Sequence, residues 1–426
     1  MKKNKKKYTA IACVFMYLLT AVCLPNWSFA QKMDTIQLTV KELDKKFLEQ
    51  NLLLLANKTN IDIAKALTEQ AKLWDNPVIN TDNNLINFQD KKVLDTKQIY
   101  VQVQQLFRLG GKRKKLVALQ EENERLTTFQ FNELMRNLRF QLHSDFYAIV
   151  ATQKTAALYQ SEIRRLSQLL IAVEGQERVG NMAYKDVIRI QAAIKNVEHS
   201  LNLLALNDLD SQSDLNTLLR NPLNTVIKPV EDTLQKKSID LNPVDLVADA
   251  LRSRGDVLTA NSLVAVSQKN LIYQKSLSVP DLTVGVEFDR ASNYVPNYTG
   301  LVLSIPIPIF NKNQGNIKAA DLQIQQQQKL LENNVNQVSN EILYKYLKIK
   351  QLEQIIGGKD AEFYVKYDAF YINLLQTYKN RQIGLPEFID FYENYKESKL
   401  QQIELQKQLR QAAEELNFAV GKIVMS

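Results

Sequence analysis

The side chains that could do chemistry in this 426-residue chain are few and scattered. His143 and His199 are the only histidines. They fall on different predicted helices with no carboxylate or thiol cluster around either in the sequence, which is poor material for a metal site. Each reads as a packing or surface residue. Met33, Met135, Met182 and Met425 lie far apart, so no methionine relay for soft metals is evident. Two histidines give no basis for a Ser–His–Asp constellation. Gly110-Gly111-Lys112 lacks the earlier glycine of a phosphate loop and has Arg113 where Ser or Thr belongs, so it reads as a strand end followed by a helix start. The expectation is a protein that is not an enzyme, with no catalytic residue, cofactor or resident metal. The carboxylates that do recur in pattern are Asp186 and Asp390, each six residues past a glycine, Gly180 and Gly384.

The ends and the charge narrow the class. Five lysines lie within the first seven residues, an apolar stretch follows to about Leu24, and Ser28-Phe29-Ala30 puts small residues where a signal peptidase cuts. Residues 1–30 therefore read as a signal peptide. Both cysteines, Cys13 and Cys23, leave with it, and Val22 before Cys23 argues against a lipid anchor. The formal charge is +8; without those five lysines it is +3, too weak to indicate nucleic acid. No apolar run of about 20 residues follows Gln31, so a mature chain that enters a membrane must do so by β-strands.

The chain repeats itself at about 204 residues. Pro77 and Pro280 precede strand-like segments, Phe107 and Phe310 end such segments, and Arg178 to Gly180 matches Arg381 to Gly384. Each half reads helix, strand, strand, long helix, turn, long helix. This gives a first repeat over 31–225, with strands at about 78–107 and a hairpin tip near 175–182. The second repeat covers 226–426, with strands at about 281–309 and a tip near 382–387.

Long helices are expected where glycine and proline are missing. Lys112 to Glu174 contains neither, about 63 residues or ~95 Å of helix. Heptad spacing marks the seams of antiparallel hairpins: Leu142, Ile149, Ala156, Ile163 and Leu170, with Tyr159, Leu166 and Val173; then Val187, Ile194 and Leu201 on the return helix. Val335, Ile342, Ile349 and Ile356 repeat likewise, and Gly357-Gly358 predicts a kink or break. The tyrosine-rich stretch from Phe363 to Tyr395 is at helical spacing and reads as inter-helix packing. Strand alternation is clean at Leu282, Val284, Val286 and Phe288 and from Leu301 to Ile309. It is weaker at Ile99, Val101 and Val103, and weakest from Val78 to Phe88.

Four strands cannot close a barrel around a pore, and a sheet in lipid has no open edge. Eight strands leave an interior that side chains fill. Three copies give twelve strands and a conducting tube, and a ring of three also buries the apolar helical seams. The fold expected is mainly α with a β-barrel part: tandem-duplicated helical hairpins forming a tunnel, with four membrane strands per chain and a 12-stranded barrel in a homotrimer.

These features resemble the TolC-like outer-membrane efflux factor family over essentially all of the mature chain. Ser304 to Phe310 (SIPIPIF), followed by Asn311 to Ile317, is similar to the strand-to-helix junction of its heavy-metal, CzcC-like branch. Leu109 to Arg113 is similar to the first-half junction. The resemblance implies a barrel in outer-membrane lipid, a tunnel into the periplasm, docking on a periplasmic adaptor, and an inner-membrane pump of the resistance-nodulation-division class. It places the adaptor-docking tips at Val179, Gly180 and Asn181 and at Ile383, Gly384 and Leu385, with Asn181 departing from the usual leucine. It also places an acidic ring at the tunnel entrance, at Asp186, Asp390 and Glu393. A basic residue carried by some members is Pro386 here, with Arg381 and Arg178 as substitutes. The function implied is passive export, with metal cations as cargo. The rival readings are a drug or protein export channel of the same family and, from another class, a periplasmic coiled-coil scaffold without a channel.

Overall fold

The computed structural model describes residues 34–87, 92–231, 242–293, 295–357 and 359–425; the signal peptide expected over 1–30 lies outside the described residues. A short strand β1 (Asp34–Leu38) leads into helices α1 (Val40–Gln50) and α2 (Leu52–Lys72). Strands β2 (Val78–Asn87) and β3 (Lys92–Phe107) follow, then the long helices α3 (Lys112–Arg178) and α4 (Tyr184–Leu218). The order recurs as β4 (Thr225–Pro229), α5 (Pro243–Ser253), α6 (Gly255–Leu277), β5 (Leu282–Asp289) and β6 (Tyr298–Ser304). Helices α7 (Gln314–Ile356), α8 (Lys359–Lys379) and α9 (Leu385–Val420) complete the chain.

Helix α3 has 67 residues, about 100 Å at 1.5 Å per residue. Its seam does what the heptads require: Leu142, Ile149, Leu166 and Val173 are buried, as are Val187, Ile190, Ile194 and Val197 on α4. The counterpart of α3 in the second half is broken. Helix α7 stops at Gly357, whose amide donates to the Glu353 carbonyl at 2.7 Å. A Cβ on Gly357 would sit 2.5 Å from that oxygen, so only glycine fits. The expected break is there; Gly358 itself lies outside the described residues.

Strands β2, β3, β5 and β6 form one antiparallel sheet in that order. Its register sorts side chains by chemistry. Val103 faces Val286, Val101 faces Phe288 and Phe107 faces Leu282, while Leu301 faces Val286 and Leu303 faces Val284. Directly opposed residues share a face, so these make a largely apolar surface, interrupted by Gln105 opposite Val284 and Thr299 opposite Phe288, and much of it is exposed. The other face is mostly polar, with Val78, Leu106 and Val302 among its residues, and is bonded across strands: Asn80 Nδ2 donates to Gln102 Oε1 at 2.9 Å, and Tyr100 Oη to Glu287 Oε2 at 2.9 Å. Among the described residues, neither edge strand, β2 or β6, has a further partner.

Two expectations need correction. The fourth strand was expected to run to Ile309 but ends at Ser304, because Pro306 and Pro308 lack the N–H a ladder needs. There are also six strands among the described residues, not four: β1 and β4 pair in parallel, from Asp34 with Thr225 to Leu38 with Pro229. Strand β4 straddles the boundary expected at 225/226 and packs with the first half, its Ile227 fully buried beside Phe47, Phe146 and Leu215.

No helix among the described residues is long and apolar enough to cross a membrane.

Candidate functional site

The free ends of the two hairpins carry the residues singled out in the sequence. At the first tip, α3 closes with a Schellman motif: Asn181 N donates to Gln176 O at 2.9 Å and Gly180 N to Glu177 O at 2.8 Å. Gly180 takes φ +75°, a left-handed position that glycine occupies without a Cβ clash. At the second tip the same two bonds run from Gln382 N to Thr377 O and from Arg381 N to Tyr378 O. Here the left-handed residue is Arg381, at φ +59°.

Gly384, matched in the sequence with Gly180, is therefore not its structural counterpart. It is extended, φ −81° and ψ 159°, and serves as the N-cap of α9, the place Ala183 holds on α4. The acid of the first helical turn is Asp186 on α4 and Glu387 on α9. The equal offset of Asp186 and Asp390 is thus a coincidence of glycine placement; Asp390 lies one turn further along α9 than Glu387.

Between the tips is a groove of about 710 Å³ lined by Val173, Gln176, Asn181, Asp186, Tyr378, Arg381, Ile383 and Leu385, among others. The Arg381 guanidinium donates to the Gln176 side chain and so bridges the two hairpins. Val179 is 67% exposed, whereas Leu385 is 4% exposed and packs in the core beside Phe388 and Ile190. Of the apolar tip residues, Val179 meets solvent and Leu385 shapes the groove wall. Asp186 is half-buried. Burial, aided by the charge of Asp186, pushes the Tyr378 hydroxyl up to about 12. Asp390 is exposed; Glu393 is tied by an ion pair to Lys396 on its own helix.

Below the groove lies a buried polar network that the sequence reading missed. The Glu162 side chain is 0% exposed. It accepts from Tyr371 Oη at 2.9 Å and from Arg165 Nη1 at 2.8 Å. Burial raises the pKa of Glu162, against the lowering effect of those two partners. Tyr371 stacks on Tyr395 at 4.0 Å, and Tyr395 Oη donates to Asp368 Oδ1 at 2.9 Å. These contacts join α3 to α8 and α9, so the tyrosine-rich stretch packs one hairpin against the other. The signal available was a carboxylate at 162 in an otherwise apolar stripe with Leu166, Leu169 and Val173.

His143 is a helix-packing residue, as expected, but it is not isolated. Its Nε2 lies 2.9 Å from Asp44 Oδ1 and its Nδ1 2.9 Å from Glu414 Oε2. Two carboxylate acceptors call for a donor at each ring nitrogen, so the ring is held as imidazolium. Burial opposes this charge, but the two carboxylates outweigh it and bring the pKa to about 9. The carboxylates come from α1 and α9, distant in sequence, which is why no cluster was visible around the histidine. Among the described residues, no group of three or more His, Cys, Asp or Glu side chains is placed to hold a metal ion.

No family model matches the chain. It is 23% identical over 379 residues to the cobalt-zinc-cadmium resistance protein CzcC of Cupriavidus metallidurans, covering 81% of this chain and 86% of that one. Among solved structures it superposes on CusC, described for its transmembrane channel formation, with TM-score 0.75 at 15% identity over 94% of this chain and 96% of the other. It superposes on the outer membrane protein VceC of Vibrio cholerae with TM-score 0.73 at 13% identity, covering 90% and 96%. The structural likenesses give the fold, that of outer-membrane channel proteins, and the match to CzcC adds a sequence similarity over most of both chains.

Proposed function

We propose that this chain is one subunit of a passive outer-membrane conduit in a three-part efflux pump, and that it is not an enzyme. Three copies pool their sheets into a 12-stranded barrel in outer-membrane lipid, and their hairpins form a tunnel reaching into the periplasm. The observation that carries the reading is the sheet register: a largely apolar exposed face, a hydrogen-bonded, mostly polar face, and two edges left open. In lipid the apolar face points outward, the polar face lines the lumen, and each open edge needs a neighbour's strand. Metal cations are the cargo, by likeness to a relative named for cobalt, zinc and cadmium resistance.

The tips with Val179, Gly180 and Asn181 and with Ile383, Gly384 and Leu385 dock on a periplasmic adaptor, which bridges to an inner-membrane pump. Their groove supplies the apolar floor, and exposed Val179 the contact. Asp390, whose carboxylate makes no hydrogen bond or ion pair among the described residues, is the main member of an entrance ring with Asp186 and Glu393. Three copies of an unneutralised carboxylate at a constriction favour cations. Planar-bilayer conductance tests this: the purified protein forms cation-preferring channels, and Asp390→Ala with Glu393→Ala lowers that preference. Absence of channels overturns the conduit; unchanged selectivity in the variant removes the ring.

A further inference from the structure

Where helices meet sheet, the molecule carries a collar of exposed aromatic side chains with exposed and half-buried basic side chains beside them. Trp74, just after α2, is 63% exposed. The Arg113 guanidinium lies over its ring at 3.7 Å, and Phe107 meets it edge-on with centroids 6.5 Å apart. At the corresponding junction of the second half, Phe310 is 92% exposed. Contacts across the junctions put these residues at one level of the molecule. Lys112 Nζ, at the start of α3, pairs with Asp281 Oδ1 before β5 at 2.6 Å. Asn313 Nδ2, before α7, donates to the Gln274 carbonyl near the end of α6 at 2.8 Å.

The charge on this collar is one-sided. From Phe107 to Gln120 the chain has no Asp or Glu but carries Arg108, Lys112, Arg113, Lys114 and Lys115. From Leu301 to Ala320 it again has no acid but carries Lys312 and Lys318. Two of the first set are neutralised: Arg108 by Asp75 at 2.7 Å, and buried Lys112 by Asp281. The hydrogen bond of Arg113 is a long one, 3.5 Å to the Lys72 carbonyl. Among the described residues Lys114 and Lys115 pair with no carboxylate. Exposed tryptophan and phenylalanine are costly in water, but they suit the headgroup level of a bilayer. Unneutralised cations beside them match anionic headgroups.

We propose that this collar binds anionic phospholipid, with Arg113, Lys114 and Lys115 meeting the headgroup phosphate and Trp74, Phe107 and Phe310 meeting the upper acyl chain. The proposal rests on the reading of the sheet as membrane-crossing and names the lipid partner of its helix-side rim. The chain has two tryptophans; with Trp27 gone with the leader, or replaced as Trp27→Phe, Trp74 reports from within the collar.

The test reconstitutes the full protein in phosphatidylcholine vesicles. Part of the lipid is either phosphatidylglycerol or phosphatidylcholine, brominated near the headgroup end of its chains. Trp74 fluorescence is expected to be quenched more strongly by the brominated phosphatidylglycerol, with a preference on the order of fivefold or more. Lys114→Gln with Lys115→Gln, which leaves the Trp74–Arg113 stack in place, should bring the preference close to one while quenching by phosphatidylcholine persists. Equal quenching by both lipids in the unaltered protein overturns the proposal and leaves the membrane-crossing sheet standing. Quenching by neither lipid overturns both. Added inorganic phosphate is expected to leave the preference intact; if it erases the preference, the site takes free phosphate and the lipid proposal fails.

Discussion

At the junction of its two short helices the first half of the chain places Asn51, and at the corresponding junction the second half places Arg254. Both are 4% exposed, and both hold the carbonyl end of a long helix. Asn51 Nδ2 donates to Leu218 O at 2.9 Å while its Oδ1 caps α2 at Leu54 N at 2.8 Å. Arg254 Nη1 donates to Ala419 O at 2.8 Å and to Glu341 at 2.7 Å, and its Nε and Nη2 grip Asp256. One architectural task is done by a neutral amide in one half and by a buried cation with two carboxylates in the other. The tips differ in the same spirit. Glycine occupies the left-handed turn position in the first, and an arginine in the second is held across to Gln176. A repeated fold thus fixes which backbone groups must be satisfied, and leaves open the side chain that satisfies them.

The comparison can be broken first at the hubs. Arg254→Ala strands two carboxylates and a helix carbonyl, and is expected to lower the unfolding free energy by about 3–5 kcal/mol. Asn51→Ala loses two neutral hydrogen bonds and should cost about 1–3 kcal/mol. Denaturant unfolding of the detergent-solubilised protein measures both; equal losses would mean that the charge at the second hub carries no extra weight.

Next in size is the His143 joint, which ties α1 and α9 to α3. Its folded pKa of about 9 lies above the ordinary 6.5. The stabilisation is therefore complete below about 6.5 and lost as pH rises through 9, on the order of 3 kcal/mol. On the acid side, burial raises the pKa of Asp44, but His143 and Arg139 outweigh it and hold the carboxyl below its usual range. That contribution goes as pH falls through the lowered value. Unfolding midpoints should drop between pH 6.5 and 9, and His143→Gln should flatten that drop. A variant with the same alkaline slope places the titration elsewhere.

The smallest effect sharpens the contrast of turns. Gly180→Ala should destabilise by about 1 kcal/mol, because alanine is strained at positive φ. Arg381→Gly, made in a Gln176→Ala background so that the bridge is already absent, should stabilise by up to about 1 kcal/mol. Midpoint shifts of the same sign in thermal unfolding would contradict the assignment of both residues to one turn position.

Much of this was legible in the residues because the forces are periodic. Apolar spacing of seven fixed the seams at Leu142, Ile149, Leu166 and Val173, and spacing of two fixed the apolar face at Val284, Val286, Leu301 and Leu303. What escaped is what long-range packing decides. Nothing near His143 announces Asp44 or Glu414, which lie 99 and 271 residues away. Glu162 meets Tyr371 across 209 residues. Strands β1 and β4 have five residues each, too short for alternation to stand out. Gly180 and Gly384 are not equivalent, although both are tip glycines, because the backbone accepts Arg381 at the second turn position and uses Gly384 to begin a helix.

The account stands on the open edges of β2 and β6 being closed by other copies of this chain. The most direct measurement is the protein mass of the complex extracted in mild detergent from the outer-membrane fraction, by light scattering corrected for bound detergent. Three chains per particle is the expected result. A single chain, or two, would leave the sheet without the twelve strands a conducting barrel needs and would contradict the account.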